Sequence, residues 1–199
     1  AIQAFRKLNP ITGDNLLILG SGTIGLMCLY VAKQMSFNNI FITGKYKHQK
    51  DMAKYLGADF VLDYDDPNLY ENIYDNTNGY GVDVSLETVG SYSSQIATLS
   101  DAVKFTKKGG NIGVVGGFRV PVEFDFLIPY MNGQSLIFPI CYNFIDGKHD
   151  FEIAIDLFKN NNSDLSKLIT NQYKFIDIEK AFQHANQSRN EVIKVHLNN

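Results

Sequence analysis

Gly20, Gly22 and Gly25, spaced as G-x-G-x-x-G with Ser21, Thr23 and Ile24 between them, are the residues of this chain best placed to do chemistry. Glycines bring no reactive atom; what they offer is bare backbone. In such a set the first permits a tight turn, the second lets the main chain approach a pyrophosphate, and the third lets a helix pack close to a strand. The arrangement works only with a strand before it and a helix after it, so that unpaired amides at the positive end of the helix dipole face the phosphates. Both flanks are present. Asn15-Leu16-Leu17-Ile18-Leu19 is an apolar run of strand length, and Leu26 to Lys33 continues without a helix breaker. The spacing predicts a dinucleotide-binding turn, with a plain glycine-rich turn as the alternative.

The rest of the chain has the pattern of a frame for that turn. Short apolar strands alternate with amphipathic stretches, which implies a parallel sheet with helices on both faces. Strands are expected at 39–43 (closed by Gly44), 60–62, 82–86, 111–115 after the turn Lys108-Gly109-Gly110, and 136–142, the last interrupted by Pro139 and so at an edge or bulge. Helices are expected at 48–56, 69–74, 91–104 and 151–158. A polar break, Asn160-Asn161-Asn162-Ser163-Asp164, precedes a strand-like 173–175, a helix over 178–185 and a strand over 192–197. The expected fold class is α/β: a Rossmann-type, doubly wound, parallel six-stranded sheet over residues 1–160. Residues 161–199 read as a C-terminal appendage, not another βα unit, with too little apolar surface to fold alone.

Bulk properties narrow the classes. The chain has 199 residues, 45% hydrophobic and 20% charged, which suits a globular domain. A net charge of −3 speaks against a nucleic-acid partner. The apolar run from Leu16 to Ala32 is too short and too glycine-rich to span a membrane. No secretion leader opens the sequence, and the two cysteines, Cys28 and Cys141, form no framework, so a reducing cytoplasm is expected.

Taken jointly, several stretches resemble the medium-chain dehydrogenase/reductase family in its zinc-dependent alcohol and polyol dehydrogenase branch. They are Gly13-Asp14-Asn15-Leu16-Leu17-Ile18-Leu19-Gly20, Leu56-Gly57-Ala58-Asp59, Gly81-Val82-Asp83-Val84-Ser85-Leu86-Glu87-Thr88-Val89-Gly90, Lys107 to Gly116, and Glu191-Val192-Ile193-Lys194-Val195. The resemblance implies a cofactor-binding half, plus a C-terminal segment that completes a GroES-like catalytic domain whose N-terminal part is not in this sequence. That part would carry the catalytic zinc. His48, His149, His184 and His196 lack Cys or Glu neighbours at ligand spacing and read as solvated or capping residues, so no metal ligand and no catalytic residue is expected here. The resemblance also implies that Thr88, Val89 and Gly90 line the adenosine and nicotinamide-ribose side. Val115 and Gly116 would offer backbone groups to the carboxamide, and Lys194 would reach the pyrophosphate unless it is a surface lysine. A homodimer or tetramer paired through residues 135–142 is implied too. The parent reaction would be hydride transfer between NADP(H) and an alcohol or carbonyl substrate, with the fragment inactive alone. A non-catalytic dinucleotide-binding module or truncated relic is the alternative.

Cofactor choice turns on the end of the second strand. NAD-binding domains carry an acidic residue about 20 positions past the glycines to bond the ribose 2′-OH. Here stand Gly44, Lys45, Tyr46 and Lys47, with no carboxylate at that position. A glycine and two cations suit a 2′-phosphate, and Tyr64 falls where NADP-dependent secondary alcohol dehydrogenases have a similar tyrosine. NADP is therefore expected over NAD. Three further patterns read as structural. Tyr46-x-x-x-Lys50 lies too early for short-chain dehydrogenase chemistry, and Asp63, Asp65 and Asp66 suit a capping loop. The aromatic residues from Phe118 to Phe144 read as core and subunit contact.

Overall fold

The computed structural model describes residues 1–91, 96–160 and 165–199. In chain order the elements are α1 (Ile2–Leu8), β1 (Leu16–Leu19), α2 (Thr23–Ala32), β2 (Ile40–Gly44), α3 (Lys47–Tyr55), β3 (Phe60–Asp63), α4 (Leu69–Asp75), β4 (Val82–Glu87), α5 (Ala97–Phe105) and β5 (Thr106–Val114). They continue with α6 (Leu127–Asn132), β6 (Ser135–Ile137), β7 (Phe144–Ile145), β8 (Lys148–His149), α7 (Asp150–Lys159), β9 (Ile169–Lys174), α8 (Ile178–Gln187) and β10 (Lys194–Asn198). Six strands form one sheet in the order β3-β2-β1-β4-β5-β6, and every pairing within it is parallel.

Every residue of β1 and β2 is buried, as expected of parallel strands covered on both faces. Side-chain alternation sends Leu16, Ile18, Ile40, Ile42, Val84 and Leu86 into a core shared with α1 and α2. Leu17, Leu19, Phe41, Ile112 and Val114 enter the opposite core, with α4 and α5, joined by Val82 from before the register shift between β4 and β5. The doubly wound reading is therefore correct. Chain order reverses between β1 and β4, so the sheet has its topological switch point beside the glycine turn. In open α/β sheets that crevice, outside the carboxyl ends of the strands, is where ligands bind.

The structure corrects several boundaries. The strand expected over 136–142 ends at Ile137, because Pro139 cannot donate to a ladder. It does lie at the sheet edge. The turn Lys108-Gly109-Gly110 is a bulge inside β5, where the register moves from Val82↔Thr106 to Val84↔Asn111 and Gly109 takes φ +73°. The described part of the helix expected from Ser91 begins at Ala97. Residues 92–95 lie outside the described residues, and Ser91 bridges to Phe118 instead. The C-terminal segment is more than an appendage: β9 and β10 pair in parallel with α8 between them in sequence, a small βαβ unit. Its Leu168 and Ile193 side chains are buried in the first core. Of the aromatic run, Phe118 and Phe124 pack on the second core, whereas Phe126, Tyr130, Phe138, Tyr142 and Phe144 are exposed, so core packing does not account for them.

Candidate functional site: the glycine turn at the switch point

Gly20 follows β1 in a left-handed conformation, φ +103°. A Cβ there would lie 2.6 Å from Val89 Cγ2 and 3.0 Å from Thr88 Oγ1. Gly25 is tighter still, since its Cβ would fall 1.8 Å from the Gly20 carbonyl oxygen. This contact seats α2 against the end of β1. Gly22, the N-cap residue of α2, differs: nothing lies within 4 Å of where its Cβ would be. The helix has no side-chain cap and no acidic residue in its first turn. Among the described residues, the amides of Gly22, Thr23 and Ile24 have no hydrogen-bond acceptor. The turn thus combines bare backbone, unpaired donors and open space, which fits a pyrophosphate.

Thr88 sits beneath the turn, its hydroxyl donating to the Leu19 carbonyl at 2.8 Å. Val89, beside it, is exposed. A residue that sequence reasoning left unassigned organises this loop. Glu87, fully buried, accepts through Oε1 from the amides of Val89 at 2.9 Å and Gly90 at 2.8 Å, and from Thr98 Oγ1 at 2.8 Å. Its Oε2 is buried without a partner among the described residues. Both the Val115 and Gly116 amides donate to the Glu87 carbonyl at 2.9 Å, so of the backbone groups expected to serve a ligand, their carbonyls are what remains. Gly116 is obligatory here, because a Cβ would meet Gly90 N at 2.2 Å and Glu87 Oε2 at 2.3 Å.

At the end of β2, Gly44 is buried and its bare face is filled: a Cβ would meet Ser21 Oγ at 2.3 Å and Lys50 Cγ at 2.9 Å. Lys45 and Lys47 are exposed. Lys47 is paired with Asp51 at 2.5 Å, whose carboxyl that hydrogen bond holds below its usual range. Tyr64 donates to Asp101 Oδ2 at 2.9 Å. Burial and this bond push its hydroxyl up to about 12. Asp63 does not cap a helix; it pairs with Lys50. Asp66 does serve the turn before α4, accepting from the Asn68 amide at 2.8 Å.

Lys194 is exposed at the start of β10. It lines a groove of about 520 Å³ with Thr23, Tyr46, Gln49, Arg189 and Ile193. Thr23 closes the base of that groove by donating to the Ile193 carbonyl at 2.7 Å. The structure thus brings Thr23 and Lys194 to one cleft, and adds Arg189, whose separation in sequence hid it. His149 caps α7 as expected, accepting from the Phe151 amide. Tyr173 and His184 are hydrogen-bonded at 2.5 Å. No group of three or more His, Cys, Asp or Glu side chains suited to a metal ion occurs among the described residues. The described side chains therefore do not fit a zinc site.

These features define the class: a doubly wound α/β domain with a glycine turn at the switch point of its sheet. Residues 23–160 match the family model described as zinc-binding dehydrogenase, and the chain belongs to that family. Sorbitol dehydrogenase of Bacillus subtilis is 28% identical over 189 residues, 95% of this chain and 51% of that protein. L-threonine 3-dehydrogenase of Pyrococcus furiosus is 28% identical over 178 residues, 87% of this chain and 49% of that one. The chain therefore spans about half the length of these relatives. Among solved structures, an Escherichia coli oxidoreductase/dehydrogenase of unknown specificity aligns at TM-score 0.85 and 21% identity, over 100% of this chain and 55% of that one. The 2R,3R-butanediol dehydrogenase of B. subtilis aligns at TM-score 0.80 and 22% identity, over 100% and 55%.

Proposed function

We propose that this chain holds NADP(H) for a dehydrogenase acting on an alcohol, a polyol or the corresponding carbonyl compound. The observation that carries the reading is the turn Gly20 to Gly25, where unpaired amides and open space at Gly22 meet the sheet's switch point. Hydride carriage is the chemistry a nicotinamide cofactor supplies when bound. The chain's own part is positional. The amides of Gly22 and Thr23 would take the pyrophosphate, with Ile24 and Gly25 forming the first turn behind them and Lys194 closing from the groove. Thr88 and Val89 would flank the nicotinamide ribose, and the carbonyls of Val115 and Gly116 would meet the carboxamide. Gly44, Lys45, Lys47 and Tyr64 border the adenosine ribose, where the exposed cation of Lys45 favours NADP over NAD.

The relatives are about twice as long as the chain, and their names cover sorbitol, L-threonine and alcohol as substrates. The reading assigns substrate binding and any zinc to residues outside this chain, which would be inactive alone. It also places a second copy against the β6 edge and residues 138–142, and the whole in the cytoplasm. No helix among the described residues is long and apolar enough to cross a membrane.

The test is a calorimetric titration of the chain with NADPH and, separately, NADH at low salt. Tighter NADPH binding, weakened by Lys45→Ala, is the expected result. Equal affinities would remove the NADP preference, and binding of neither would overturn the reading.

A further inference from the structure

The end of β2 carries no carboxylate in sequence, yet the fold places one there. Gly44 and Asp63 are register partners at the adjacent ends of β2 and β3. Lys50, in α3, runs its stem across the bare face of Gly44, with Cγ 2.9 Å from where a Cβ would be. Its ammonium donates to Asp63 Oδ2. Asp63 Oδ1 in turn accepts from the Asp65 amide at 3.2 Å. The Lys50 hydrogen bond comes first among the causes that hold the Asp63 carboxyl below its usual range, and the charge of Lys45 adds to it. The Lys50 side chain is only 22% exposed. Ser21, within the glycine turn, touches the same face of Gly44, so this cluster is one side chain away from the pyrophosphate turn.

Charge and donor counting show what such a cluster can recognise. An ammonium has three donors and no acceptor; one donor of Lys50 is committed to Asp63. Both oxygens of Asp63 are already engaged, by a cation and by an amide. A carboxylate has about four acceptor sites, so Asp63 keeps room for a hydroxyl, but its charge is offset by Lys50, and the donors left on Lys50 suit a phosphate. Lys45 is exposed and has no ion-pair partner among the described residues. Lys45, Lys50 and Asp63 together leave one net positive charge. Lys47 adds none, since Asp51 neutralises it.

We infer that Lys50, held in place by Asp63 across Gly44, is a specificity-determining residue that reads the 2′-phosphate of NADP(H). Lys45 supplies the second cation. The inference rests on the proposal that the glycine turn binds a dinucleotide. Asp63 has two opposed effects: it orients Lys50 and it partly offsets the lysine's charge. Gly44 is required because any side chain there would displace the lysine stem.

The experiment is calorimetry at low salt with NADPH and NADH on the unaltered chain, Lys50→Gln, Lys50→Arg and Asp63→Asn, with thermal melts to check folding. The expected result for Lys50→Gln is NADPH binding weakened about ten- to hundredfold, the range for a charge-assisted hydrogen bond, with NADH affinity unchanged. Lys50→Arg should retain most of the NADPH preference even if Lys50→Gln folds poorly. Asp63→Asn should leave NADPH binding as tight or tighter. Equal weakening of both cofactors by Lys50→Gln, or of neither, would overturn the assignment to Lys50 while leaving the dinucleotide reading standing. Binding of neither cofactor by the unaltered chain would overturn that reading and the inference with it.

Discussion

The three glycines of one motif carry different physical duties, and substitution separates them. Gly25→Ala would place a methyl group 1.8 Å from the Gly20 carbonyl oxygen. Backbone cannot yield cheaply there, so α2 must move off β1 at a cost of about 3 kcal/mol or more. Set against a typical total of about 5–15 kcal/mol, that is a large fraction. Gly22→Ala meets nothing within 4 Å and keeps an ordinary φ of −73°. It should lower stability by only about 1 kcal/mol as a poorer N-cap. The methyl group would nonetheless stand in the open space that the proposed function gives to the pyrophosphate. Melting curves and NADPH titrations of the two variants should therefore part: Gly25→Ala loses much of its stability, and Gly22→Ala melts only about 2–4 °C lower but loses binding. The cysteines separate as cleanly. Burial pushes the Cys28 thiol up to about 11, whereas Cys141 is exposed. A thiol reagent at neutral pH should leave Cys28 unmodified in the native protein and reach it only in denaturant.

Between elements, polar ties set the register where apolar packing does not. Asp83, near the start of β4, accepts from the Asn15 amide at 2.7 Å and from Asn15 Nδ2 at 3.1 Å, and it pairs with Lys107 of β5. It thereby joins three strand ends. Burial alone would raise its carboxyl, but the hydrogen bonds from Asn15 and Lys107 outweigh that and hold it below the usual range. A depressed folded value gives stability that is present above the unfolded value of about 3.9 and is lost as pH falls through the folded one. Thermal melts from pH 6 down to pH 3 should fall more steeply for the unaltered chain than for Asp83→Asn. Equal slopes would show that the tie carries no pH-dependent stability. The same scale explains what the sequence could and could not show. Apolar runs such as Leu16 to Leu19 and Ile40 to Gly44 announce buried parallel strands by composition, and Pro139 announces an edge. The pairing of Lys50 with Asp63 could not be seen, because it needs β2 and β3 to be neighbours in a stated register. Glu87 was hidden for a related reason: a carboxylate at the end of an apolar strand shows its buried role only once Thr98 and Gly116 close around it. The bulge at Gly109 reads as a turn in sequence, since both use a glycine at positive φ.

For the molecule as a whole, the feature that bears on assembly is the β6 edge. One side of β6 pairs with β5; the other lies at the limit of the sheet. Immediately after it, Phe138, Ile140 and Tyr142 are 63%, 72% and 55% exposed. An open strand edge flanked by large apolar side chains invites association, because unpaired backbone groups and water-exposed apolar surface can be satisfied together. The economical solution for identical chains is a two-fold contact in which each β6 edge meets its counterpart, since such an interface closes and does not propagate. Light scattering should then give twice the 22.4 kDa of one chain. Ile140→Lys would place a charge within that contact while leaving both cores untouched, because Ile140 belongs to neither. The variant is expected to run at the mass of one chain, with a melting temperature that no longer rises with concentration. A single-chain mass for the unaltered protein at tens of micromolar would overturn the pairing, and the apolar edge would then require a different cover.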